Sequence, residues 1–218
     1  MLFEIIVFNI TGPSWEAVST CLQKGHTPIL CIKEYALGQC KKAKHKVLKV
    51  LRLSLDNMET FLNKRDNLKV IHLVRDPRAI LNSRIKTPWF ISKTQQTIKT
   101  NTQAICLKMR ADAVASQRLL KKFPTRFRIV YYEDLSNEPS TKLEELYRFL
   151  GMSLDPGLSP DLDSMVNHNT SYWWRHGLQW SHIQHMDSLC KDVYNILGYR
   201  TFKVEADVRN VSIPSLSV

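Results

Sequence analysis

An arginine and a serine follow a short apolar run in residues 70–84. Residues 70–74 are mostly β-branched or apolar, which is typical of a strand buried in a parallel sheet. Arg75 comes directly after this run, and Ser83 follows about two helical turns later if a helix begins there. A strand end that carries a planar cation, with a hydroxyl donor nearby, predicts a phosphate site.

The start of the following helix adds to this prediction. Pro77 suits the first turn of a helix, where free backbone N–H groups and the helix dipole attract an anion. In open parallel sheets, ligands bind at the carboxyl ends of the strands. The alternative is structural, with a surface ion-pair cluster at 75–78 and a solvated Ser83. The local chemistry does not decide between the two.

An acidic pair stands at the end of a second predicted strand. Glu133 and Asp134 follow the strand-like residues 127–132. Carboxylates at a strand end can serve as acid and base in catalysis. The alternative is that they cap the next helix or brace Arg75.

An aromatic patch precedes the last predicted helix. Trp173, Trp174 and Arg175 are consecutive in the chain. Large aromatic rings with a polar edge can form a platform on which a sugar stacks. A core or lid anchor is the equal alternative for these residues.

The elements that position these residues alternate between strand and helix. Strand-like composition covers residues 2–10, 46–52, 69–74 and 127–132. A helix begins at Pro77, and helical periodicity covers 54–67, 102–121, 141–150 and 181–197. Strand, helix, strand, helix is the order of a parallel sheet, so the sequence predicts an α/β layer structure in a single domain over 1–218.

Two of these helices have marked faces or ends. The apolar side of the long helix comprises Ala104, Leu107, Ala111, Val114 and Ala115. The helix that stops at Gly151 is predicted to begin with a capping box formed by Thr141 and Glu144. We expect the apolar side of the long helix to pack on the core.

The composition is that of a globular protein with a strong positive charge. The 218 residues are 44% hydrophobic, and 31 Lys and Arg against 20 Asp and Glu give a net charge of +11. Such a surplus attracts nucleic acids, acidic lipids, acidic glycans or phosphorylated small molecules. The sequence has no helix-turn-helix, aromatic RNA-binding or zinc pattern and no G-x-x-x-x-G-K-[ST] motif. Neither nucleic-acid binding nor a metal site is therefore predicted.

Cysteines and glycosylation sequons bear on the compartment. Sequons of the N-x-S/T type occur at Asn9, Asn169 and Asn210. They permit a secretory-pathway lumen, where Cys106 and Cys190 can pair as a disulfide. Buried free thiols are the alternative for the two cysteines.

Four segments resemble the sulfotransferases that use 3′-phosphoadenosine 5′-phosphosulfate (PAPS). LVRDPRAILNSR (73–84) is similar to the family's 3′-phosphate-binding segment, whose arginine and serine fall on Arg75 and Ser83. The other segments are VLKVLR (47–52), YYEDLSNEPSTKLEELYRFLGM (131–152) and WRHGLQWSHIQHMDSLCKDVYNILGYR (174–200). The four segments follow one another in the same order as in the family, over about residues 46–200. The motif RDPRA resembles that of the Golgi carbohydrate sulfotransferases.

The resemblance implies a P-loop-like parallel sheet flanked by helices, with Arg75 and Ser83 binding the 3′-phosphate of PAPS. It also implies a glycan acceptor that is sulfated on the 6-hydroxyl of N-acetylglucosamine, galactose or N-acetylgalactosamine, and the candidates to contact this sugar are Trp174 and Arg175 of the aromatic patch. No metal is implied. By the same resemblance, the protein is expected on the lumenal side of the Golgi membrane, with a membrane anchor only in a full-length form.

The sequence departs from the family near its start and at the expected base. Members carry a basic residue and Ser-Gly-Ser/Thr in a phosphate loop, but FNITGPSWEAV (8–18) has no Lys or Arg, and Pro13 lacks a backbone N–H. We therefore expect the first strand and the phosphate loop to be missing and the chain to be N-terminally incomplete. Lys49 and Arg52 are the catalytic candidates by position, with a plain surface role as the alternative for Lys49.

Together these observations predict transfer of a sulfuryl group from PAPS to a sugar hydroxyl. Such transfer needs an in-line hydroxyl, a nearby base and positive charge over the transferred group. The base is not identified by the sequence. Two alternatives stay open, namely an inactive fragment that retains 3′-phosphate binding and a basic nucleic-acid-binding module.

Overall fold

The computed structural model describes residues 4–7, 15–31, 33, 44–51, 53–87, 94–154 and 168–217. The described strands are β1 (Glu4–Val7), β2 (Leu48–Val50), β3 (Val70–Val74) and β4 (Phe127–Tyr131). The first α-helices are α1 (Trp15–Gln23), α2 (Pro28–Cys31), α3 (Asp56–Lys64), α4 (Pro77–Lys86) and α5 (Gln95–Lys122). The later ones are α6 (Tyr132–Asn137), α7 (Pro139–Leu150), α8 (Trp174–Gly177), α9 (Trp180–Leu189), α10 (Lys191–Leu197) and α11 (Glu205–Arg209). A 3-10 helix covers His168–Ser171.

The described strands form one sheet in the order β2-β1-β3-β4. β3 and β4 are parallel, with Val74 opposite Tyr131. β1 is antiparallel to both of its neighbours, with Ile6 opposite Lys49 on β2 and Ile71 on β3. The prediction of a parallel sheet is therefore confirmed for β3 and β4 and wrong for β1, because strand composition carries no information on strand direction. The described sheet is mixed.

Among the described residues, two main apolar cores and a small cluster of Ile71, Val130 and Leu146 lie beside the sheet. The larger core is formed by the end of β3 with α4, α5 and the C-terminal helices, and its buried members include Val74, Leu81, Met109, Trp174, Ile183, Met186 and Leu197. The smaller core joins α3 to β3, β4 and the end of α5 through Leu55, Met58, Leu62, Val70, Leu119 and Phe127. Across the described ranges, no helix is both long enough and apolar enough to cross a membrane.

The long helix α5 buries a different face from the one that its apolar residues predict. Leu107 and Val114 are 60% and 51% accessible, and Ala104 and Ala111 are also exposed. Of the predicted apolar side, only Ala115 is buried. The buried face combines apolar and polar side chains, namely Ile98, Thr102, Ile105, Met109, Asp112, Ala113, Ser116 and Leu119.

Hydrogen bonds explain why α5 turns polar side chains inward. The carboxylate of Asp112 accepts from the backbone N–H of Leu55 at 3.1 Å. The hydroxyl of Ser116 bonds to Nδ1 of His72 on β3 at 2.7 Å. Burial, followed by the nearby charge of Lys108, lowers the pKa of His72 to about 3, so this imidazole is neutral. Because buried polar groups cost little once they are bonded, these partners outweigh apolar periodicity.

The C-terminal helical stretch is broken at Cys190, so the predicted single helix over 181–197 is wrong. Its periodicity continues across the break because α9 and α10 both face the larger core. Cys190 forms a disulfide with Cys106 on α5, which confirms the predicted pairing. A second disulfide, between Cys21 and Cys31, joins α1 to α2.

The helix α7 begins at Pro139 and not at the predicted capping box. Thr141 lies inside the helix, and no side chain caps its start. Proline suits the first helical turn because its missing N–H is not needed there. Gly151 ends the helix with a φ of +74°, as predicted from the preference of glycine for left-handed geometry.

Candidate functional site

Two parallel strands bring the candidate residues to one edge of the sheet. Arg75 follows β3 and Tyr132 follows β4, and the carboxyl ends of parallel strands leave the sheet on the same side. The 3-10 helix His168–Ser171 packs against α6 at this edge. We call the surface formed by Arg75, Tyr132 and the 3-10 helix the Arg75 edge.

Neutral groups hold the guanidinium of Arg75 in place. Its Nη2 donates to the carbonyl oxygen of Thr170 at 3.0 Å, and its Cζ lies 4.2 Å from the centre of the Tyr132 ring. The Tyr132 hydroxyl bonds to Oγ1 of Thr170 at 2.7 Å, which closes a small cycle. The carbonyl of Thr170 and the ring of Tyr132 thus help to orient this half-buried cation.

Ser83, the other predicted phosphate ligand, lies half-buried in α4. It is on the helix that follows Arg75, about two turns beyond the strand end. The strand-then-helix arrangement of Arg75 and Ser83 is therefore the predicted one. Their joint contact with a phosphate stays a prediction.

The start of α4 is occupied by a carboxylate of the protein itself. Asp76 is the N-cap residue, and its Oδ1 accepts from the backbone N–H of Arg78 at 2.9 Å. Pro77 has no N–H to offer. This is a correction to the predicted helix-terminus site, because Asp76 takes the position that an anion would occupy. One backbone N–H at the start of α4 is therefore already bonded to the protein's own carboxylate.

Arg78 is buried in the core and does not lie on the surface. Its side chain is fully buried, and its Nε and Nη2 each donate to the Asp76 carboxylate at 2.9 Å. Its Nη1 donates to the carbonyl oxygen of Arg200 at 3.0 Å and lies 3.3 Å from Oδ1 of Asp187. The rings of Trp174 and Tyr194 lie 4.4 and 5.0 Å from its Cζ. The alternative prediction of a surface ion-pair cluster is thus confirmed for the ion pair between Asp76 and Arg78. It is wrong about the location, because this pair is buried.

A second carboxylate completes the surroundings of Arg78. Asp187 accepts from the Tyr194 hydroxyl at 2.9 Å and from the backbone N–H of Phe202 at 3.2 Å. Burial disfavours the charge of Arg78, but the carboxylate of Asp76, then Tyr194 and Asp187, outweigh burial and raise its pKa above the ordinary value. Arg78 therefore stays charged in the core and ties α4 to α9.

Glu133 braces the backbone next to Arg75. Its Oε1 accepts from the backbone N–H of Asp76 at 2.8 Å, and its Oε2 accepts from the Tyr199 hydroxyl at 3.0 Å. Burial, followed by the charge of Asp76, raises the pKa of Glu133 to about 7. The predicted bracing role thus goes to the main chain at Asp76, and Asp134 remains half-buried beside it.

The catalytic candidate Lys49 does not lie on the strands that form this edge. Lys49 is exposed on β2, and β1 lies between β2 and β3. Neighbouring strands are about 4.8 Å apart, so β2 is about 10 Å from the strand that carries Arg75. Arg52 and residues 8–14 lie outside the described residues.

The predicted sugar platform is corrected by burial. Trp174 and Arg175 are both fully buried, which is the core-anchor alternative. Arg175 donates to the carbonyl oxygens of Val208 at 3.0 Å and Ile213 at 2.6 Å, so it fastens the C-terminal segment. The exposed ring is that of Trp173, which is 51% accessible. Only Trp173 of the three offers a face to a ligand.

Cavity size does not mark the site. The largest described cleft, about 440 Å³, is lined by Arg128, Glu145, Arg148 and Phe149. Arg128 lies near the amino end of β4, away from the strand end that meets Arg75. A smaller cleft of about 150 Å³ lies beside Glu133. Within the described ranges, no group of His, Cys, Asp or Glu is arranged to hold a metal ion.

The match to a family model covers the two strand ends of this edge, but not the 3-10 helix. A model described as "Sulfotransferase family" matches residues 35–156, which is more than half of the 218 residues. The chain belongs to the sulfotransferase family. The match includes Arg75, Ser83 and the β4–α6 strand end, as the resemblance of residues 46–200 predicts.

Curated relatives agree with the family. This sulfotransferase-family chain is 29% identical to carbohydrate sulfotransferase 5 of Mus musculus, over 87% of the chain and 57% of the relative. It is 28% identical to carbohydrate sulfotransferase 6 of Homo sapiens, over 85% and 56%. It is 27% identical to carbohydrate sulfotransferase 1 of Danio rerio, over 82% and 50%. The chain thus spans about half the length of the curated relatives it matches, and no solved structure matches it.

The roles of several residues at the Arg75 edge could not be predicted from the sequence alone. Thr170 and Tyr132 orient Arg75, and Tyr199 bonds Glu133, but each lies far along the chain from its partner. Tyr132 and Glu133 stand next to each other at a strand end, which is the one local clue. Thr170 and Tyr199 become visible only in three dimensions.

Proposed function

We propose that this chain transfers a sulfuryl group from PAPS to a sugar hydroxyl of a glycan, with Arg75 and Ser83 binding the 3′-phosphate of the donor. The observation that carries the proposal is the placement of Arg75 at the carboxyl end of β3, oriented by Thr170 and Tyr132. Membership of the sulfotransferase family supports PAPS as the donor. The similarity to carbohydrate sulfotransferases supports a carbohydrate acceptor.

The donor fits the chemistry of the Arg75 edge. A guanidinium donates two parallel hydrogen bonds to a phosphate, which makes arginine suited to a group with three terminal oxygens. The Asp76 carboxylate already accepts from the N–H of Arg78 at the start of α4, and the proposal assigns the phosphate to the side chains of Arg75 and Ser83. The buried Asp76–Arg78 pair keeps the turn between them rigid.

The roles of Arg75 and Ser83 follow from the reaction. The acceptor oxygen attacks sulfur, the bond from sulfur to the 5′-phosphate oxygen breaks, and adenosine 3′,5′-bisphosphate leaves, while the hydroxyl proton passes to a base. The 3′-phosphate is unchanged in these steps. Arg75 and Ser83 therefore supply binding that is equal in the ground and transition states, and this lowers KM for PAPS more than it raises kcat.

The finer expectations belong to the same proposal. We assign the acceptor position to a 6-hydroxyl of N-acetylglucosamine, galactose or N-acetylgalactosamine, and the fold to a P-loop-like single domain over 1–218. The protein is placed in the Golgi lumen. The exposed Asn210 of the third sequon and the Cys106–Cys190 disulfide support an oxidising, glycosylating compartment.

Transfer of labelled sulfate tests the proposal. The purified chain is incubated with sulfur-labelled PAPS and an acceptor that presents the 6-hydroxyl of N-acetylglucosamine. Labelled product is expected, and Arg75→Ala should raise KM for PAPS by about tenfold or more with a smaller change in kcat. Arg148→Ala removes an exposed arginine near the amino end of β4 and is the matched control, with KM unchanged.

A second candidate function is binding of the 3′-phosphate without transfer. It is favoured by the exposed position of Lys49 on β2, across β1 from β3. Adenosine 3′,5′-bisphosphate binding by calorimetry separates the two candidates. Binding that needs Arg75, together with no labelled product, supports the second candidate, and no binding at all overturns both.

A further inference from the structure

Glu133 is a buried carboxyl group that the proposed transfer leaves without a role. Its side chain is 3% accessible, and both of its oxygens accept hydrogen bonds. One donor is the backbone N–H of Asp76, which belongs to the peptide that joins Arg75 to Asp76. The other is the hydroxyl of Tyr199 in the C-terminal segment. Glu133 therefore fixes the peptide that carries Arg75 to a distant part of the chain.

We propose that Glu133 is a positioning residue of the Arg75 edge and that phosphate binding at Arg75 is coupled to uptake of a proton by Glu133. The inference rests on the proposed function, because the phosphate is the 3′-phosphate of PAPS. It adds a dependence on pH to the proposed binding of this phosphate.

Burial and the charge of Asp76 disfavour the negative charge of Glu133, whereas its two hydrogen-bond donors favour it. From the β3–α4 turn it faces the carboxylate of Asp76, whose counter-charge is Arg78. From the C-terminal segment it faces the neutral hydroxyl of Tyr199. The cleft of about 150 Å³ beside Glu133 is lined by Asp134, Asn137, Tyr172, Pro214, Ser215 and Leu216. Burial and the charge of Asp76 together raise the pKa of Glu133 to about 7.

The hydrogen bonds of Glu133 can be kept in both protonation states. An ionised Glu133 accepts from the Asp76 N–H and from the Tyr199 hydroxyl. A protonated Glu133 still accepts at Oε1, and its own O–H donates to the Tyr199 oxygen, because a phenol is both donor and acceptor. Glu133 can thus gain or lose a proton while it keeps its hydrogen bond to the backbone N–H of Asp76.

A bound phosphate changes the balance between these states. It brings one or two negative charges to an edge that already holds the carboxylates of Asp76 and Glu133. A nearby negative charge disfavours ionisation, so the phosphate favours protonated Glu133. By linkage, phosphate affinity then falls as the pH rises through about 7, where free Glu133 loses its proton.

Calorimetry on wild-type protein and Glu133→Gln tests the coupling. Glutamine copies the size of the neutral carboxyl group and cannot ionise. The Kd for adenosine 3′,5′-bisphosphate is measured for both from about pH 5.5 to about pH 8.5, and the ratio of the two Kd values removes the titration of the ligand itself. The ratio of wild type to variant should be near one at low pH and about threefold at high pH.

Two tyrosine variants separate this coupling from a merely structural role. Tyr199→Phe removes a donor that stabilises ionised Glu133, so the midpoint of the pH dependence should move upward by roughly half a unit or more. Tyr194→Phe removes a similar buried hydroxyl that donates to Asp187. This matched control should leave the midpoint where it is.

A measurement on wild type alone keeps the test independent of how the variants fold. At about pH 7.5 the phosphate is already mostly dianionic, so calorimetry in buffers of different ionisation enthalpy reports proton uptake by the protein. Net uptake with adenosine 3′,5′-bisphosphate is expected. No uptake, a flat Kd ratio, or an equal shift in Tyr194→Phe overturns the role of Glu133. Absence of bisphosphate binding at every pH is a separate result and overturns the proposed function.

Discussion

The two ends of the β3–α4 turn use arginine in opposite ways. At the inner end, Arg78 is fully buried and gives its donors to Asp76, Asp187 and a backbone carbonyl. At the outer end, Arg75 is half-buried and is oriented by the Thr170 carbonyl and the Tyr132 ring. The inner arginine holds the fold together, and the outer one keeps its charge at the edge where strands β3 and β4 end.

The difference between the two ends has a physical basis. A buried charge is stable only if it is paired and fully bonded, which Asp76 and Asp187 provide for Arg78. A ligand site needs a cation that is held in a fixed orientation near the surface, and the Thr170 carbonyl and the Tyr132 ring contribute to this for Arg75. The buried ion pairs of Arg78 therefore stabilise the same short turn that carries the binding residue Arg75.

The largest expected effect is on stability, from Arg78→Ala. This change leaves Asp76 and Asp187 in the core without their counter-charge, which destabilises the folded state by up to about 5 kcal/mol. Urea unfolding measures it. Arg75→Ala is the matched variant and should cost less than about 1 kcal/mol, because its charge is near the surface. Equal losses in the two variants would remove the distinction between the ends.

The disulfide between Cys106 and Cys190 should contribute nearly as much. It closes a separation of 84 residues, and it lies three positions from Asp187 at the inner end. Loop-closure entropy gives about 4.5 kcal/mol for a loop of this size, against about 3 kcal/mol for the Cys21–Cys31 bridge with its separation of 10. The free energy of unfolding of the two double-alanine variants compares them. A larger loss from the Cys21–Cys31 bridge would contradict this order.

The stability of wild type should fall as the pH rises toward neutral because of Glu133. Its pKa is about 7 in the folded protein and 4.5 ordinarily, so between these values the folded state binds the proton more tightly than the unfolded state. This contribution is complete below about pH 4.5 and is lost by about pH 7, a change of about 3 kcal/mol. Unfolding free energies at several pH values should show this loss in wild type relative to Glu133→Gln. If the unfolding free energies of the two proteins changed with pH in the same way, the pKa of Glu133 would not be raised in the folded protein.

The smallest effect is expected at Tyr132. Tyr132→Leu removes the ring beneath Arg75 and should weaken adenosine 3′,5′-bisphosphate binding about two- to fivefold, the size of an exposed cation–π contact. Tyr132→Phe keeps the ring and loses only the bond to Thr170, so it should bind more tightly than the leucine variant. Calorimetry ranks the three proteins. A leucine variant that binds as wild type does would show that the ring does not orient Arg75.

The outer end of the β3–α4 turn, with Arg75 at a strand end and a helix after it, could largely be predicted from the sequence. A β-branched run that stops at Arg75 is a local signal, and β3, α4 and the parallel β3–β4 pair follow from it. The inner end could not be predicted. Arg78 meets Asp187 and Arg200, which are separated from it by 109 and 122 residues, so no local pattern tells that it is buried.

The long helix and the first strand show the same limit. α5 turns Asp112 and Ser116 inward because Leu55 and His72 bond them, and apolar periodicity along one helix does not contain those partners. The direction of β1 depends on its neighbours in the sheet and not on its composition. What the sequence leaves open is thus set by contacts between distant segments.

The central claim is that Arg75 binds the 3′-phosphate of the donor, and paired calorimetric titrations of wild type and Arg75→Ala test it most directly. For adenosine 3′,5′-bisphosphate, the variant should lose about 2 kcal/mol, or about thirtyfold in Kd, because a charge-assisted contact to a phosphate is removed. For adenosine 5′-phosphate, which lacks the 3′-phosphate, the two proteins should agree within about twofold. An equal loss of affinity for both ligands would contradict the account.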